Sequence, residues 1–393
     1  MRAALYRLPP VGAAWRDSPG TPLTATTSLL DRLRRDRLLQ ALLLLALALA
    51  IFDPRAPREY LRWLDPATLA GLCGLLIVAQ GVVASGHVQR FALHLVARLH
   101  DVRTLAFALV LLAAALATVL TNDVALFLVV PLTLAVDRIA RVPRQRLVIF
   151  EALAVNAGSA FSPIGNPQNL LLWQHSGFGF PAYVAALAPT AAVLLIVLLV
   201  ACFFAFPAAP LQLDASRVDA APSLDTPLFA GSILLLAAMV AAMQWGLAVP
   251  AALAMTAIAA FFPRVLAGVD WLLLVTFAAM FVGLGHLAAL PAVQAHVGML
   301  AWHDSRVTFA GGVVLSQIIS NVPAAVALQH YAPDRALLAS AVNVGGSGLM
   351  IGSLANLIAL RLDGSRGIGW RFHAWSIPYL VVTATLVAFL VVR

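Results

Sequence analysis

The chain has 393 residues, of which 62% are hydrophobic and 11% are charged, and its formal net charge is +8. Soluble domains carry about 25% charged residues, so this composition excludes a soluble globular protein and indicates a polytopic membrane protein. All of the basic side chains are arginines, and most lie in short loops between apolar runs, as the positive-inside rule describes. We therefore expect the positively charged loops to contact membrane lipid, and we expect no nucleic-acid partner.

Apolar runs long enough to span a bilayer, about 17 to 25 residues, recur along the chain. Residues 1–37 are polar and end in four closely spaced arginines, which predicts a cytoplasmic N-terminal segment. Spans are predicted at 38–53, 66–85, 145–174, 181–207, 227–247, 249–268, 270–289, 335–361 and 374–392. A linker at 208–226, rich in Asp, Pro and Ser, separates a first membrane repeat (38–207) from a linking helix (227–248) and a second repeat (249–393).

Two further apolar regions are interrupted by polar residues and do not fit simple spans. Residues 104–136 break at Thr121-Asn122-Asp123, and arginines on both flanks place both flanks in the cytoplasm. Residues 306–332 break at Ser320-Asn321, and their flanks carry no net positive charge, so we place them outside. A segment that enters and leaves on one side is a re-entrant helical hairpin, and we predict one in each half.

An internal repeat links the two halves. Residues 152–170 and 339–357 align without a gap and are identical at 9 of 19 positions. The predicted topology makes the first copy run outward and the second inward. The expected fold is therefore all-α, with two inverted-topology repeats that each contain a re-entrant hairpin and a broken transmembrane helix. Paired, Gly/Pro-interrupted segments of this kind indicate the binding site of a transporter.

Each repeat carries glycine, proline and amide residues that interrupt a helix. Non-helical backbone is tolerated in a membrane only where protein or water satisfies it, and unwound carbonyl groups suit a small cation whereas free N–H groups suit an anion. The candidate unwound-helix and cation-binding residues are Asn156, Gly158, Gly165, Asn166, Pro167, Asn169, Asn343, Gly345, Gly352 and Asn356. The hairpin tips supply the candidate substrate-binding residues Thr121, Asn122, Asp123, Ser320, Asn321, Val322 and Pro323.

Two acidic residues within the predicted membrane region are candidates for proton exchange, because ionisable groups there are usually functional. Asp123 at the first tip could bind Na⁺, exchange a proton, or cap the helix that follows. Glu151 lies about one turn before Asn156 and could relay a proton or pair with a loop arginine.

The residues at 121–131, Thr-Asn-Asp-Val-Ala-Leu-Phe-Leu-Val-Val-Pro, resemble the first hairpin of the ion transporter superfamily. Ser-Pro-Ile-Gly-Asn-Pro-Gln-Asn at 162–169 is similar to its unwound segment. This superfamily includes citrate permeases, divalent anion:sodium symporters and the arsenite–antimonite efflux permease. The resemblance implies cations between each tip and its unwound helix, substrate between Asn122 and Asn321, and a homodimer. Asp123 and Val322-Pro323 depart from the dicarboxylate motifs.

These features predict a secondary active transporter of a small anion in the cell inner membrane, working by alternating access with Na⁺ or H⁺ as coupling ion. A metalloid efflux permease and a cation/proton antiporter are the alternatives, and a channel or an intramembrane serine protease at Gly345-Gly346-Ser347-Gly348 are minor ones. No ATP-binding motif occurs. We expect no enzyme activity, no catalytic residue, no resident metal and no cofactor beyond the coupling ion.

Overall fold

The computed structural model describes residues 37–64, 66–213, 223–269 and 271–392. The predicted N-terminal segment, apart from its last residue, and positions 214–222 of the predicted linker lie outside the described residues. The described chain is almost entirely helical, which confirms the all-α class.

The helices follow the predicted apolar runs. In the first half they are α1 (Arg37–Phe52), α2 (Pro57–Leu64), α3 (Pro66–Ala84), α4 (His87–Arg98), α5 (Val102–Val119), α6 (Asn122–Ile139), α7 (Arg144–Ser159), α8 (Pro167–Gln174) and α9 (Phe180–Ala205). In the second half they are α10 (Thr226–Gln244), α11 (Ala248–Ala259), α12 (Pro263–Gly268), α13 (Trp271–Ala289), α14 (Pro291–Gly298), α15 (Ser305–Ile319), α16 (Asn321–Leu328), α17 (Arg335–Gly345), α18 (Leu354–Asp363) and α19 (Ile368–Val391). Two-residue strands β1 (Ala140–Arg141) and β2 (Gln212–Leu213) pair antiparallel.

Several of these helices are suited to a bilayer by length and composition. Four apolar helical stretches in the described chain are long enough to cross one: Pro57–Ala84, Val102–Val119, Phe180–Ala205 and Ile368–Val391. A fifth crossing is possible if Leu274–Ala289 and Pro291–Gly298, which meet at a bend of 60°, form one span. The chain is therefore a multi-pass membrane protein.

Helix breaks occur where the sequence places polar residues inside apolar runs. The first, between α5 and α6, leaves Leu120 and Thr121 extended, and the Thr121 side chain accepts a hydrogen bond from the Val124 N–H at the start of α6. The second, between α15 and α16, falls at Ser320. Both predicted hairpin regions thus contain two helices joined at the predicted tip.

One predicted span differs from the structure. Residues 249–268 form two helices, α11 and α12, with a break at residues 260–262. Pro263 explains the break, because proline disfavours helical backbone in the residue before it, and Phe262 is accordingly non-helical.

The broken helices α7 and α17 lie in the centre of the molecule. Every residue of α7 from Leu147 to Ser159 is buried, and so is every residue of α17 from Leu337 to Gly345. Helix α5 packs against α7, and α15 packs in the same way against α17. Because these central helices carry the polar repeat, the amide side chains of the two halves are buried together.

Four loops that together carry seven arginines meet at one end, here called the arginine-rich end (residues 99–103, 140–146, 205–213 and 361–371). The Val102 N–H donates to the Ala209 carbonyl oxygen over 2.9 Å. Arg144 Nε lies 2.8 Å from Asp363 Oδ1, which joins the start of α7 to the end of α18. The loop ends of both halves are therefore tied together there.

Candidate functional site

The breaks in α7–α8 and α17–α18 face each other, and their asparagines bond across the two halves. Asn156 Nδ2 donates to Asn356 Oδ1 over 2.9 Å. Asn343 Nδ2 donates to Asn169 Oδ1 over 2.6 Å. In the sequence repeat Asn156 aligns with Asn343, and Asn169 aligns with Asn356, so the two bonds are counterparts of each other.

A second pair of contacts shows the same correspondence. Asn166 Nδ2 donates to Asn343 Oδ1, and Ser353 Oγ donates to Asn156 Oδ1, each over 3.0 Å. Asn166 and Ser353 occupy aligned positions. All four asparagines that align in the repeat are buried, with at most 3% of their surface exposed. A buried amide requires hydrogen-bond partners, and here each of the four has at least one partner in the opposite repeat.

Carbonyl groups freed by the helix breaks are held by the same amides. Asn169 Nδ2 donates to the carbonyl oxygens of Ser159 and Ser162 over 3.3 and 3.1 Å. Asn356 Nδ2 donates to those of Gly346 and Leu349 over 2.8 and 3.4 Å. Each break is therefore a defined turn, with oxygen atoms gathered around a side-chain amide.

Two glycines allow the tip-bearing helices to approach the broken helices closely. A Cβ on Gly158 would overlap the Ala114 carbonyl oxygen of α5. A Cβ on Gly345 would lie 2.6 Å from Ser316 Cβ and 3.0 Å from the Val313 carbonyl oxygen of α15. The close packing of these helices requires glycine at both positions, because any side chain would overlap the neighbouring helix. This requirement is not apparent from the sequence.

Two residues that sequence reasoning missed cap these same glycines. Thr118 Oγ1 donates to the Gly158 carbonyl oxygen over 2.9 Å, and Gln317 Nε2 donates to the Gly345 carbonyl oxygen over 2.5 Å. Thr118 and Gln317 each lie four residues before a tip asparagine, one helical turn away. A separate alignment of the two tips at Asn122 and Asn321 places Thr118 opposite Gln317.

The two tips contact the break of their own half. The Asn122 N–H donates to the Gly165 carbonyl oxygen over 2.9 Å. In the second half, a Cβ added to Gly346 would lie 2.7 Å from Asn321 Nδ2. Asn122 and Asn321 are also the first residues of α6 and α16, so each lies at a helix N-terminus. The tips and the breaks form one buried polar junction, here called the polar junction.

Not every predicted site residue joins the polar junction by a contact. Val322 and Pro323 lie in the first turn of α16 and are half-buried. Pro167 is exposed at the first position of α8, whose N-terminus is capped by the Asn166 side chain accepting from the Asn169 N–H over 2.8 Å. Gly352 ends a short 3₁₀ turn, Met350–Gly352, inside the second break.

Two buried carboxyl groups lie near the polar junction. Asp123 follows Asn122 in the first turn of α6, and within the described chain its Oδ1 has no hydrogen-bond partner. Glu151 is fully buried, accepts a hydrogen bond from the Thr133 hydroxyl of α6, and leaves Oε2 without a partner among the described residues. The structure thus pairs Glu151 with a threonine hydroxyl and not with a loop arginine.

No cluster of three or more His, Cys, Asp or Glu side chains suited to a metal ion occurs in the described residues. Ser347, the nucleophile that a serine protease would need, is buried, and its Oγ contacts no hydrogen-bonding group in the described part of the chain. A serine nucleophile is activated by a hydrogen-bonded base such as histidine, and no histidine is bonded to Ser347 in the described residues.

Comparison with known proteins shows sequence similarity to membrane transport proteins. Residues 29–336 match the family described as Citrate transporter. The chain is 42% identical over 358 residues to Inner membrane protein YbiR of Escherichia coli strain K12, which covers 90% of this chain and 95% of that protein. It is 29% identical over 357 residues to Uncharacterized transporter MJ0456 of Methanocaldococcus jannaschii, with 88% and 94% covered.

The fold and the family match define a polytopic membrane transport protein and not an enzyme. The chain belongs to the citrate transporter family. This confirms the resemblance drawn from the tip and unwound-segment motifs at 121–131 and 162–169.

Proposed function

We propose that the chain is a secondary active transporter of a small anion that works by alternating access at the polar junction. The observation that carries this proposal is the reciprocal bonding of Asn156 to Asn356 and of Asn343 to Asn169. A site formed equally by two repeats can open to either side when one part moves against the other.

An anion is the preferred substrate because of the helix N-termini at the polar junction. Helices α6 and α16 begin at Asn122 and Asn321, and α8 and α18 begin at the two breaks. The N-terminus of a helix carries a partial positive charge and free N–H groups that bind anions. The family membership supports a carboxylate anion such as citrate as the first compound to test.

Opposite orientation of the two repeats is part of the proposal. The arginine-rich end contains the start of α7 and the end of α18, so the chain enters the first broken helix and leaves the second at the same end. With that end in the cytoplasm, α5–α6 and α15–α16 are re-entrant hairpins from opposite sides. The similarity to Inner membrane protein YbiR supports the inner membrane as the location.

Protons are the coupling ion that the buried carboxyl groups favour over Na⁺. Asp123 and Glu151 each have one oxygen without a partner in the described residues. An isolated carboxylate is very costly to bury, and such groups become neutral instead. Binding and release of a proton at one of them would therefore couple readily to the opening of the polar junction.

The test is uptake by purified protein in proteoliposomes, with citrate, succinate, sulfate, phosphate and arsenite each assayed with and without a Na⁺ gradient and at two pH values. We expect saturable uptake of one anion class, driven by an imposed ion gradient. Arsenite efflux without anion uptake would favour a metalloid permease. Flux that does not saturate with substrate and does not depend on the Na⁺ gradient or on pH would indicate a channel and contradict the proposal.

Variants at the carboxyl groups distinguish the coupling ions. Asp123→Asn and Glu151→Gln keep the shape of the side chain but cannot release a proton. If protons drive uptake, at least one variant loses the dependence on the pH gradient. Uptake that requires Na⁺ and is unaffected by either variant would exclude proton coupling. Cation/proton exchange without anion movement would support the antiporter alternative.

A further inference from the structure

A cavity of about 570 Å³ opens at the arginine-rich end, away from the polar junction. Its lining comes from the end of α6, the loop that follows, the start of α7 and the first turns of α19, and it includes Asp137, Arg144, Arg146, Arg371 and Trp375. Ligand pockets in proteins commonly have volumes of about 300 to 1,000 Å³. The cavity is therefore large enough for a small ligand or a lipid headgroup.

Three arginines give the cavity its charge, and only one of them is neutralised. Arg144 pairs with Asp363 at 2.8 Å and with Asp137 at 3.4 Å. Arg146 donates instead to the Ala205 carbonyl oxygen, and Arg371 to Gln145 Oε1. Within the described residues, neither Arg146 nor Arg371 forms an ion pair.

Arg146 is held in place by aromatic rings. Its guanidinium carbon lies 5.7 Å from the centre of the Trp375 ring and 5.9 Å from that of Phe206, within cation–π range. A guanidinium fixed in this way loses little freedom when it binds a second group, and its remaining N–H groups match the oxygens of a phosphate.

The other wall of the cavity is apolar. Val142, Ile149 and Trp375 lie beside the arginines, and Trp370 in the first turn of α19 is 84% exposed. Tryptophan is enriched at the level of lipid headgroups. A pocket with guanidinium groups on one side and apolar side chains on the other suits an amphiphile, and basic pockets between helices on the cytoplasmic side bind phosphorylated lipid headgroups.

We propose that this cavity binds the phosphate group of an anionic phospholipid, with Arg146 and Arg371 as its ligands. The lipid would bridge the two repeats, because Arg146 belongs to α7 of the first and Arg371 to α19 of the second. This site is separate from the polar junction, and it predicts a stabilising lipid independently of which anion is transported.

The test is thermal unfolding of the detergent-purified full chain, titrated with phosphatidylglycerol, with phosphatidylcholine, or with inorganic phosphate. We expect phosphatidylglycerol to raise the melting temperature with saturation, and phosphatidylcholine to have little effect. In Arg371→Gln, the phosphatidylglycerol concentration that gives half of the maximal rise in melting temperature should increase about tenfold, as expected for loss of one charge-assisted bond. Arg371 is exposed, so this variant should fold.

Two control variants make the result specific. Arg366→Gln removes an exposed arginine of the same loop that does not line the cavity, and it should respond like the wild type. Arg146→Lys keeps the positive charge but lacks the planar guanidinium group that can donate two parallel hydrogen bonds to a phosphate, so it should weaken lipid binding. An equal response of all variants, or of both lipids, would overturn the site. Stabilisation by inorganic phosphate alone would overturn the lipid assignment. Since the readout is stability, failure of the transport proposal would leave this test unaffected.

Discussion

The two tips of the polar junction have different backbone conformations at equivalent residues, Thr121 and Ser320. Thr121 is extended, with φ −92° and ψ 156°, and it caps α6 through its side chain. Ser320 has φ 73° and ψ 154°, and it makes no side-chain cap to α16. That second conformation is populated almost only by glycine, and other residues hold it at a cost of about 1–3 kcal/mol. The second tip is therefore strained where the first is not.

Ser320→Gly should relieve this strain. Glycine adopts the conformation freely, and after its own entropic cost in the unfolded chain we expect a net gain of about 1 kcal/mol in stability. The melting temperature of the purified variant, compared with wild type and with Ser320→Ala, measures it. A glycine variant that is no more stable than the alanine variant would show that the strain is absent.

The close contacts between α5 and α7 and between α15 and α17 depend on Gly158 and Gly345. Gly158→Ala and Gly345→Ala should each reduce stability by about 1–3 kcal/mol, because the added methyl group meets the neighbouring helix. Gly231→Ala in α10 is the matched control, since nothing lies within 4 Å of a Cβ there, and helix propensity predicts a small gain. Melting temperatures of the three variants provide the comparison, and equal values for all three would refute the close-packing argument.

The helix breaks could be predicted from sequence because polar and proline residues stand out inside apolar runs. Thr121-Asn122 and Ser320-Asn321 marked both tips, and Asn166-Pro167 marked the start of α8. The break before Pro263 has the same kind of signal, but the length of the apolar run around it predicts one span. The partners of the asparagines could not be predicted. Asn156 bonds to Asn356, 200 residues away, and only the packing of α7 against α18 determines that pairing.

Alternating access at the polar junction requires the two broken helices to cross the membrane in opposite directions. In a variant lacking Cys73 and Cys202, single cysteines at Ser176 and His330 should react with a membrane-impermeant maleimide added to intact cells. Cysteines at Arg141 and Arg366 should react with the maleimide only after the membrane is permeabilised. All four positions lie in loops or at exposed sites. Labelling of Ser176 and Arg366 from the same side would contradict the inverted topology.

If both tips serve one transport site, a variant at either tip should reduce uptake in proteoliposomes. Asn122→Ala and Asn321→Ala should each lower the initial uptake rate at least about tenfold, since each removes a buried amide at a helix N-terminus. Thr385→Ala, an exposed position on α19, is the control and should transport like the wild type. Both asparagine variants should insert and fold normally but fail to transport. Normal uptake by both of them would show that the tips do not form the transport site.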